Sequence, residues 1–554
     1  MDSSVLRIIP IGGVGTFGMN SMVVEFGDDM IVVDAGIKIP QGNMPGVDQI
    51  LPDFSYVIEN SQRVKAVFLT HGHDDHIAAL PYLIRYLDVP VYGTAFTIAL
   101  ARARIIDNYL NMDQTEPDFV QLLFGNTVKC GSFSVETVRV SHSIPDCAAL
   151  AITTPLGTVL HTGDFRMEAQ TLDGHKTDLD RFRELGDEGI LVLMADSTNS
   201  DRRGFLPPEQ EVGKVLEEII SQAPGRVFIA TFASHIHRVQ MVLAAAHKLG
   251  RKVIMEGRRM VQNCSLAQQL GYLVYPPGTV GQIEDLNEKE YGDAVFLTTG
   301  TQGEPLAALS RIVRDEHRKI KITKGDTVVF SSRIIPGNEL SVGQIINELF
   351  RKEVVVLTED SAMVHVSGHS TGDEIKTVIE AAKPKYFIPL HGEYRQLTAN
   401  ANLAREAGVG ADNIFILEPG NVLELSDKGA ALARPVAAGR LLVDGDTVGD
   451  LDDELLRDRR RLAREGLVVV VAGVDMDGRS SFRPMVHSVG VISEESAEGL
   501  EENAVKEVLG ILKTARSLRV NRDDLKEEIR IKVRGVFRRA LKKKPRVVTV
   551  IIEE

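Results

Sequence analysis

The sequence predicts a multidomain α/β protein, and three observations predict it. The chain has 554 residues; single cores stop growing at about 250–300 residues, so three or four domains are expected. Short apolar, β-rich runs recur along the chain, and several end on a side chain able to do chemistry. In the middle of the chain these runs alternate with helical patterns, which implies a mostly parallel sheet; residues 464–554 instead mix strands with two amphipathic helices, as a small α+β domain would.

Composition excludes several classes. Hydrophobic residues make up 44% and charged residues 25%, an ordinary globular balance without low-complexity tracts or repeats. Residues 1–7 lack the basic start and apolar core of a signal peptide, and no apolar run approaches 18 residues, so the expectation is a cytoplasmic protein with no membrane partner. Cys130, Cys147 and Cys264 are odd in number and scattered, which fits reduced thiols. The net charge of −14 weighs against nucleic acid, whose phosphates are neutralised by Lys and Arg. That argument covers the whole surface only. A groove can be locally basic, and bound divalent cations add positive charge where a phosphate would sit.

In chain order, residues 5–11 read as a first strand, followed by Gly12-Gly13-Val14-Gly15-Thr16-Phe17-Gly18. The glycines match G-x-G-x-x-G, yet a dinucleotide site needs a helix to open on them. Residues 21–26 and 30–34 instead form a hairpin through Gly27-Asp28-Asp29. The glycines are therefore expected to let backbone pass close to a site. Asp34 ends the second strand, where it can cap a turn or orient a metal-binding imidazole from behind.

The densest chemistry follows the buried-strand run 64–69. His71, His73, Asp75 and His76 fall within six residues. In an extended segment residues two apart share a side, so His71 and His73 can grip one cation while Asp75 and His76, past the bend, grip another. Imidazole with carboxylate suits zinc or manganese, and the lack of thiolate argues against a closed structural zinc site. The plain alternative is a surface histidine cluster; a cluster closing a buried strand argues against it. Ile77, Leu80, Ile84 and Leu87 then repeat at helical spacing, placing the cluster on a strand-to-helix loop. Two later runs, 138–142 and 157–164, end on His142 and Asp164, with His161 read as a strand residue.

The set His71, His73, Asp75, His76, His142 and Asp164, with Asp34 upstream, resembles the metallo-β-lactamase superfamily over residues 1–205. The resemblance implies an αββα sandwich holding two metals, with Asp164 between them. From residue 206 a new α/β segment begins, with strand runs at 226–230, 252–255, 294–298 and 327–330, and after it come His365-Val366-Ser367-Gly368-His369 and Leu390-His391-Gly392-Glu393. This insertion, with Asp196, His369 and His391, resembles the β-CASP subfamily. The strings Thr231 to Arg238, Ser331 to Glu339 and Ile388 to Glu393 resemble the bacterial ribonuclease J family. The expected organisation is 1–205 and 365–433 as two parts of the metallo-β-lactamase domain, 206–364 as the β-CASP domain, 434–463 as a linker passing into a helix, and 464–554 as the C-terminal domain. Between Lys526 and Arg546 ten basic residues face two acidic ones, read as a solvated helix face or, more sharply, an RNA-facing patch.

The resemblance implies a metal-dependent ribonuclease, 5′-to-3′ exonuclease and endonuclease, in RNA maturation, rRNA processing and mRNA decay. His391 stands where DNA-directed β-CASP enzymes typically carry an apolar residue, which implies RNA. It implies two divalent cations, zinc first with manganese or magnesium as alternatives. His71, His73 and His142 would hold one, and Asp75, His76 and His391 the other, with Asp164 shared. Two such ions can acidify water and clamp a phosphoryl group. His369, oriented by Asp196, is the candidate general acid for the leaving 3′-oxygen, with Asp75 counted in the catalytic set. Ser234, His365, Ser367, Gly368 and His369 are candidates for binding a 5′-monophosphorylated single-stranded RNA. A homodimer or homotetramer, with RNA-decay partners, is expected. The rival readings are a small-molecule metallohydrolase, which would not need a second domain walling the site, a non-catalytic RNA-decay scaffold, which the intact ligands oppose, and a DNA nuclease, which His391 opposes.

Overall fold

The structure, a computed structural model, describes residues 5–40, 42, 44–109, 116–168, 171–335, 337–475, 480–518 and 521–553. Residues 1–4 and Pro336, both used in the sequence reading, lie outside the described residues. The chain divides into two compact units, Met1–Ile39 with Gln49–Leu441 and Pro40–Asp48 with Leu442–Glu554.

The first unit contains two facing sheets. An eight-stranded sheet runs Gly429–Ala433, Val422–Ser426, Leu6–Gly12, Ser21–Phe26, Asp29–Val33, Val64–Phe68, Val91–Gly93 and Phe119–Gln121. A six-stranded sheet runs Tyr386–Leu390, Ile190–Asp196, Gly157–His161, Cys147–Thr154, Phe133–Val140 and Thr127–Cys130. One core joins their inner faces, with Ile8, Val24 and Phe68 from one sheet and Val135, Ile152 and Ile388 from the other. Helices Leu179–Glu188 and Gly372–Ala382 cover the six-stranded sheet, and Ala95–Tyr109 packs on two strands of the eight-stranded one. Covered on both faces, strands such as Ser21–Phe26 are buried along their whole length, which is why they read as continuous apolar runs. This is the αββα arrangement. A hairpin follows the glycines at 12–18, and Val14–Gly15 pairs with Gly392–Glu393.

The same unit carries a five-stranded sheet in the order Val253–Glu256, Val295–Thr298, Val227–Ala230, Thr327–Phe330, Val355–Leu357. All of its pairings are parallel, as the alternation of strands and helices requires. Cys130, Cys147 and Cys264 are free and buried.

The second unit has a three-stranded sheet, Met485–Val489, Leu467–Val474 and Arg546–Glu553, with the first pair antiparallel and the second parallel. Leu467–Val474 alternates buried with half-buried residues over most of its length, the signature of a sheet covered on one face. The covering helices are Glu494–Leu518 and Arg522–Leu541, and Val468, Val470, Val508, Ile529 and Phe537 fill the core. The segment expected as a linker contains helix Asp453–Glu465, capped where Asp452 accepts from the Leu455 amide at 2.7 Å. Within the basic run, Arg530 pairs with Glu527 and Arg546 with Asp458. Among the described residues no helix is long and apolar enough to cross a membrane.

Candidate metal centre

The first cluster takes its shape from how the strand Val64–Phe68 ends. His71, Gly72 and His73 follow it outside any helix or strand, and helix Asp74–Ile77 starts on His73, whose φ of −75° and ψ of 150° are still strand-like. Asp75 and His76 therefore sit on a first helical turn, rotated away from His71 and His73. The longer helix expected here appears as two short turns, Asp74–Ile77 and Leu80–Leu83, with Pro81 in the first turn of the second, where it is tolerated. The loop is pinned from behind. Asn20 and Ile37 amides donate to Asp75 O and Asp74 O at 3.0 and 3.1 Å, and the Ala35 amide donates to His76 O at 2.7 Å. The approach is so close that a Cβ on Gly36 would lie 1.5 Å from Asp75 O.

The other ligand-type residues arrive on strand ends. His142 follows Phe133–Val140, Asp164 follows Gly157–His161, and His391 follows Tyr386–Leu390. His391 adopts a left-handed φ of 50°, and Asp34 one of 63°. Such backbone is costly outside glycine, of order 1–3 kcal/mol, and is kept where surrounding contacts enforce it. Here the His391 amide donates to Gly13 O at 2.8 Å, and Asp34 accepts from the Thr70 amide and hydroxyl, each at 2.8 Å.

Three groups of donor atoms converge: His71 with His73 and His142; Asp75 with His76, Asp164 and His391; and, overlapping the second, Asp164 and His391 with Asp196 and His369. In the first, His73 Nδ1 stands 3.1 Å from His71 Nε2 and 3.2 Å from His142 Nε2. The far nitrogens set the tautomers. His142 Nδ1 is 2.6 Å from Gly368 O, which can only accept, so that nitrogen carries the proton and Nε2 is bare. His71 Nδ1 is 3.1 Å from Thr70 Oγ1, whose own proton goes to Asp34, so His71 Nε2 is bare too. Two lone pairs, on His71 Nε2 and His142 Nε2, thus point at His73 Nδ1 and are available to a cation. Burial keeps these rings neutral: it is the largest cause holding His71 and His142 well below the usual histidine range and His73 at about 4.

The second group is richer in negative charge. Asp164 is 3.2 Å from His76 Nε2 and 3.0 Å from His391 Nδ1, and Asp75 is 3.4 Å from His391 Nε2. His76 Nδ1 donates to Asp34 at 2.7 Å. Burial opposes charge on His76 and His391, yet the nearby carboxylates, Asp164 foremost, hold both rings well above the usual range. Burial likewise opposes ionisation of Asp164, and His391 and His76 outweigh it. These carboxylates draw protons to the site; a divalent cation would meet the same demand. The donor set of imidazole nitrogen and carboxylate oxygen, buried and held from behind, fits divalent metal.

Beside this centre His369 Nδ1 is 2.7 Å from Asp196 Oδ2, while Asp196 Oδ1 accepts from the Thr198 amide at 2.9 Å. Burial lowers the His369 pKa, but the Asp196 charge and hydrogen bond outweigh it, so the ring sits above its ordinary value. Of the expected substrate residues, Ser367 Oγ accepts from Asn199 at 2.8 Å and Gly368 touches His142. His365 Nδ1 is buried with no hydrogen-bond partner among the described residues; burial and then Arg238 push its pKa down to about 3. Ser234 instead lines a cavity of about 580 Å³ that Gly72 and Asp74 also wall.

The sequence reading missed Asn20, whose Nδ2 lies 3.1 Å from Asp75 O and 2.9 Å from His76 Nε2. A lone polar residue before the apolar strand Ser21–Phe26 was the one available signal. It also missed Thr70 and Thr198, which hold Asp34 and Asp196.

Four family models match the chain: the metallo-beta-lactamase superfamily over residues 14–203, the ribonuclease J beta-CASP domain over 224–349, the Zn-dependent metallo-hydrolase RNA specificity domain over 356–417, and the ribonuclease J C-terminal domain over 454–554. Among curated proteins, ribonuclease J of Thermus thermophilus is 37% identical, covering 99% of this chain and 95% of its own. Ribonuclease J2 of Bacillus subtilis is 36% identical over 99% of this chain and 98% of its own, and ribonuclease J of Corynebacterium glutamicum 39% over 90% and 69%. A solved structure, a protein of unknown function from Enterococcus faecalis V583, shares the fold with a TM-score of 0.52 at 18% identity, covering 76% of this chain and 100% of that one.

Proposed function

Because the chain belongs to the ribonuclease J family, we propose that it is a metal-dependent ribonuclease cleaving single-stranded RNA as a 5′-to-3′ exonuclease and an endonuclease, in RNA maturation and decay. One observation carries the reading. The His71, His73 and His142 cluster lies beside the Asp75, His76, Asp164 and His391 cluster, with Asp164 3.7 and 3.9 Å from His71 and His142 Nε2, and the His369–Asp196 pair stands beside both, His369 Nδ1 3.9 Å from Asp164.

His71, His73 and His142 would hold one divalent cation and Asp75, His76 and His391 a second, with Asp164 shared; zinc or manganese suits these donors. Bound cations supply Lewis acidity that activates water at neutral pH and neutralises charge on a phosphate. The protein's own residues do the rest. Asp34, Thr70 and Gly368 O hold the far nitrogens of His76, His71 and His142, so each ring presents one fixed nitrogen. Asp196 keeps the His369 ring protonated, and that proton goes to the leaving 3′-oxygen, giving 5′-phosphate and 3′-hydroxyl products. Ser367, Gly368 and His365 are the groups proposed to receive a 5′-monophosphate, with Ser234 contributing from its cavity. A homodimer or homotetramer is the proposed assembly.

The test is incubation of cation-loaded protein with 5′-monophosphorylated single-stranded RNA, the matched DNA, and an Asp75→Ala/His76→Ala double variant. Release of 5′-mononucleotides from RNA, absent in the variant and slower on DNA, is the expected result. RNA left intact across zinc, manganese and magnesium would overturn it.

A further inference from the structure

Away from the metal centre, the first unit buries an array of four charges that the reaction leaves unused. Arg238 is fully buried, and Arg166 and Glu209 are 2% and 3% exposed. Glu209 opens helix Glu209–Gln222, and its carboxylate is shared: Oε1 accepts from Arg238 Nε at 2.6 Å and Oε2 from Arg166 Nη1 at 3.4 Å. Its amide donates to Glu168 at 2.7 Å, and Glu168 lies 3.7 Å from Arg166.

Each arginine leads to a different wall of the site. Arg166 is two residues past Asp164, and its amide donates to Ser141 O, next to His142, at 2.8 Å. On either side of it, Phe165 O accepts from the Ser370 amide at 2.8 Å and the Met167 amide donates to Ser370 Oγ at 3.1 Å. Arg238 comes from helix Ile236–Lys248 and donates through Nη1 to Val364 O at 2.8 Å. Val364 and Ser370 are the two ends of the segment that carries Ser367, Gly368 and His369. The Val364 end is thus held by the Arg238 side chain and the Ser370 end by the backbone on either side of Arg166, while the Gly368 carbonyl meets the metal-cluster His142.

Buried ion pairs are poor stabilisers, because desolvation offsets their attraction. Arg166 Nε has no hydrogen-bond partner among the described residues, which adds to that cost. What a planar guanidinium fork on a shared carboxylate does supply is fixed distance and angle. We infer that Glu209, bridging Arg166 and Arg238, is a positioning residue that sets the 364–370 segment against the metal centre, and thereby fixes where His369 and the 5′ end of an RNA stand relative to the metal ligands. The inference rests on the ribonuclease reading above and names the part of the fold that registers its substrate.

The experiment compares full-length parent, Glu209→Gln, Arg238→Lys and Arg238→Met, recording bound metal, melting temperature, and kcat and KM on RNA with a 5′-monophosphate or a 5′-hydroxyl end. Misplacement of reacting groups by about 1 Å costs about 10²-fold. Glu209→Gln and Arg238→Met should lose activity on that scale, and lose preference for the phosphorylated end, while metal per chain stays at the parental value; Arg238→Lys should recover part of the loss. Variants that melt earlier but keep kcat, KM and end preference within twofold would overturn the inference, as would activity lost in step with metal. Should Glu209→Gln fail to fold, the Arg238→Lys and Arg238→Met pair decides by the same measures. An active parent with unaffected variants sinks this inference alone; a parent inactive on every RNA sinks the ribonuclease reading with it.

Discussion

In the unit that carries the metal centre, His71, His76, His142, Asp164, Asp196 and His391 are buried, and so are Arg166, Glu209 and Arg238; in the other unit no polar or charged side chain among the described residues is buried. The second core is aliphatic and aromatic throughout, from Val468 to Ile551. An ion taken out of water loses several kcal/mol of solvation even after relaxation, unless partners replace it. The first unit has the apolar mass of three sheets to offset that loss. The second, whose core is one three-stranded sheet and the two helices covering it, has a smaller reserve. Chemistry and cohesion are thus separated along the chain, and variants can test the separation.

The largest effect is expected for Asp164→Ala, which removes a carboxylate of the second cluster that also lies 3.7 and 3.9 Å from His71 and His142 of the first. RNA hydrolysis should fall to background and bound metal, measured by elemental analysis, should drop. A variant that keeps both would break the contrast outright. His369→Ala should lower kcat by about 10²–10⁴-fold, the range for a lost general acid, with metal content unchanged. Asp34→Asn, which weakens the hold on His76, should cost about 10–100-fold in activity or metal affinity.

A smaller effect concerns pH. Burial lowers the His369 pKa and Asp196 more than restores it, so the ring stays protonated up to a raised pKa and acid catalysis is lost as pH rises through that value. In Asp196→Asn the raising contribution disappears, and the alkaline limb of the kcat profile should move to lower pH; an unmoved limb would remove His369 from the acid role. Phe537→Ala, in the apolar core, should destabilise the second unit by about 3–5 kcal/mol in a denaturant titration while turnover by the folded chain stays within twofold.

Much of the site was legible because its residues sit at strand ends, where a break from apolar to polar marks the end of a buried run. His71 to His76, His142 and Asp164 stand out this way, and so does His391. Asn20 and Glu209 do not, because each acts across a distance in sequence that no local pattern encodes. The parallel inserted sheet followed from alternation, and the small terminal domain from its two helical stripes. The broken helix after His76 was not foreseen: Ile77, Leu80 and Ile84 keep helical spacing, while Pro81 and the backbone ties from Ala35 restart the turn.

The parallel pairing of Ile190–Asp196 with Tyr386–Leu390 has a consequence for how the molecule is made. The whole inserted domain is looped out between two neighbouring strands of one sheet. On a ribosome, His71, His73 and His142 emerge long before Gly368, which holds the His142 ring, and before His369 and His391. Closing so long a loop is slow. Completing the Asp75–His76 cluster therefore requires the chain through His391, with Tyr386–Leu390 docked beside Ile190–Asp196.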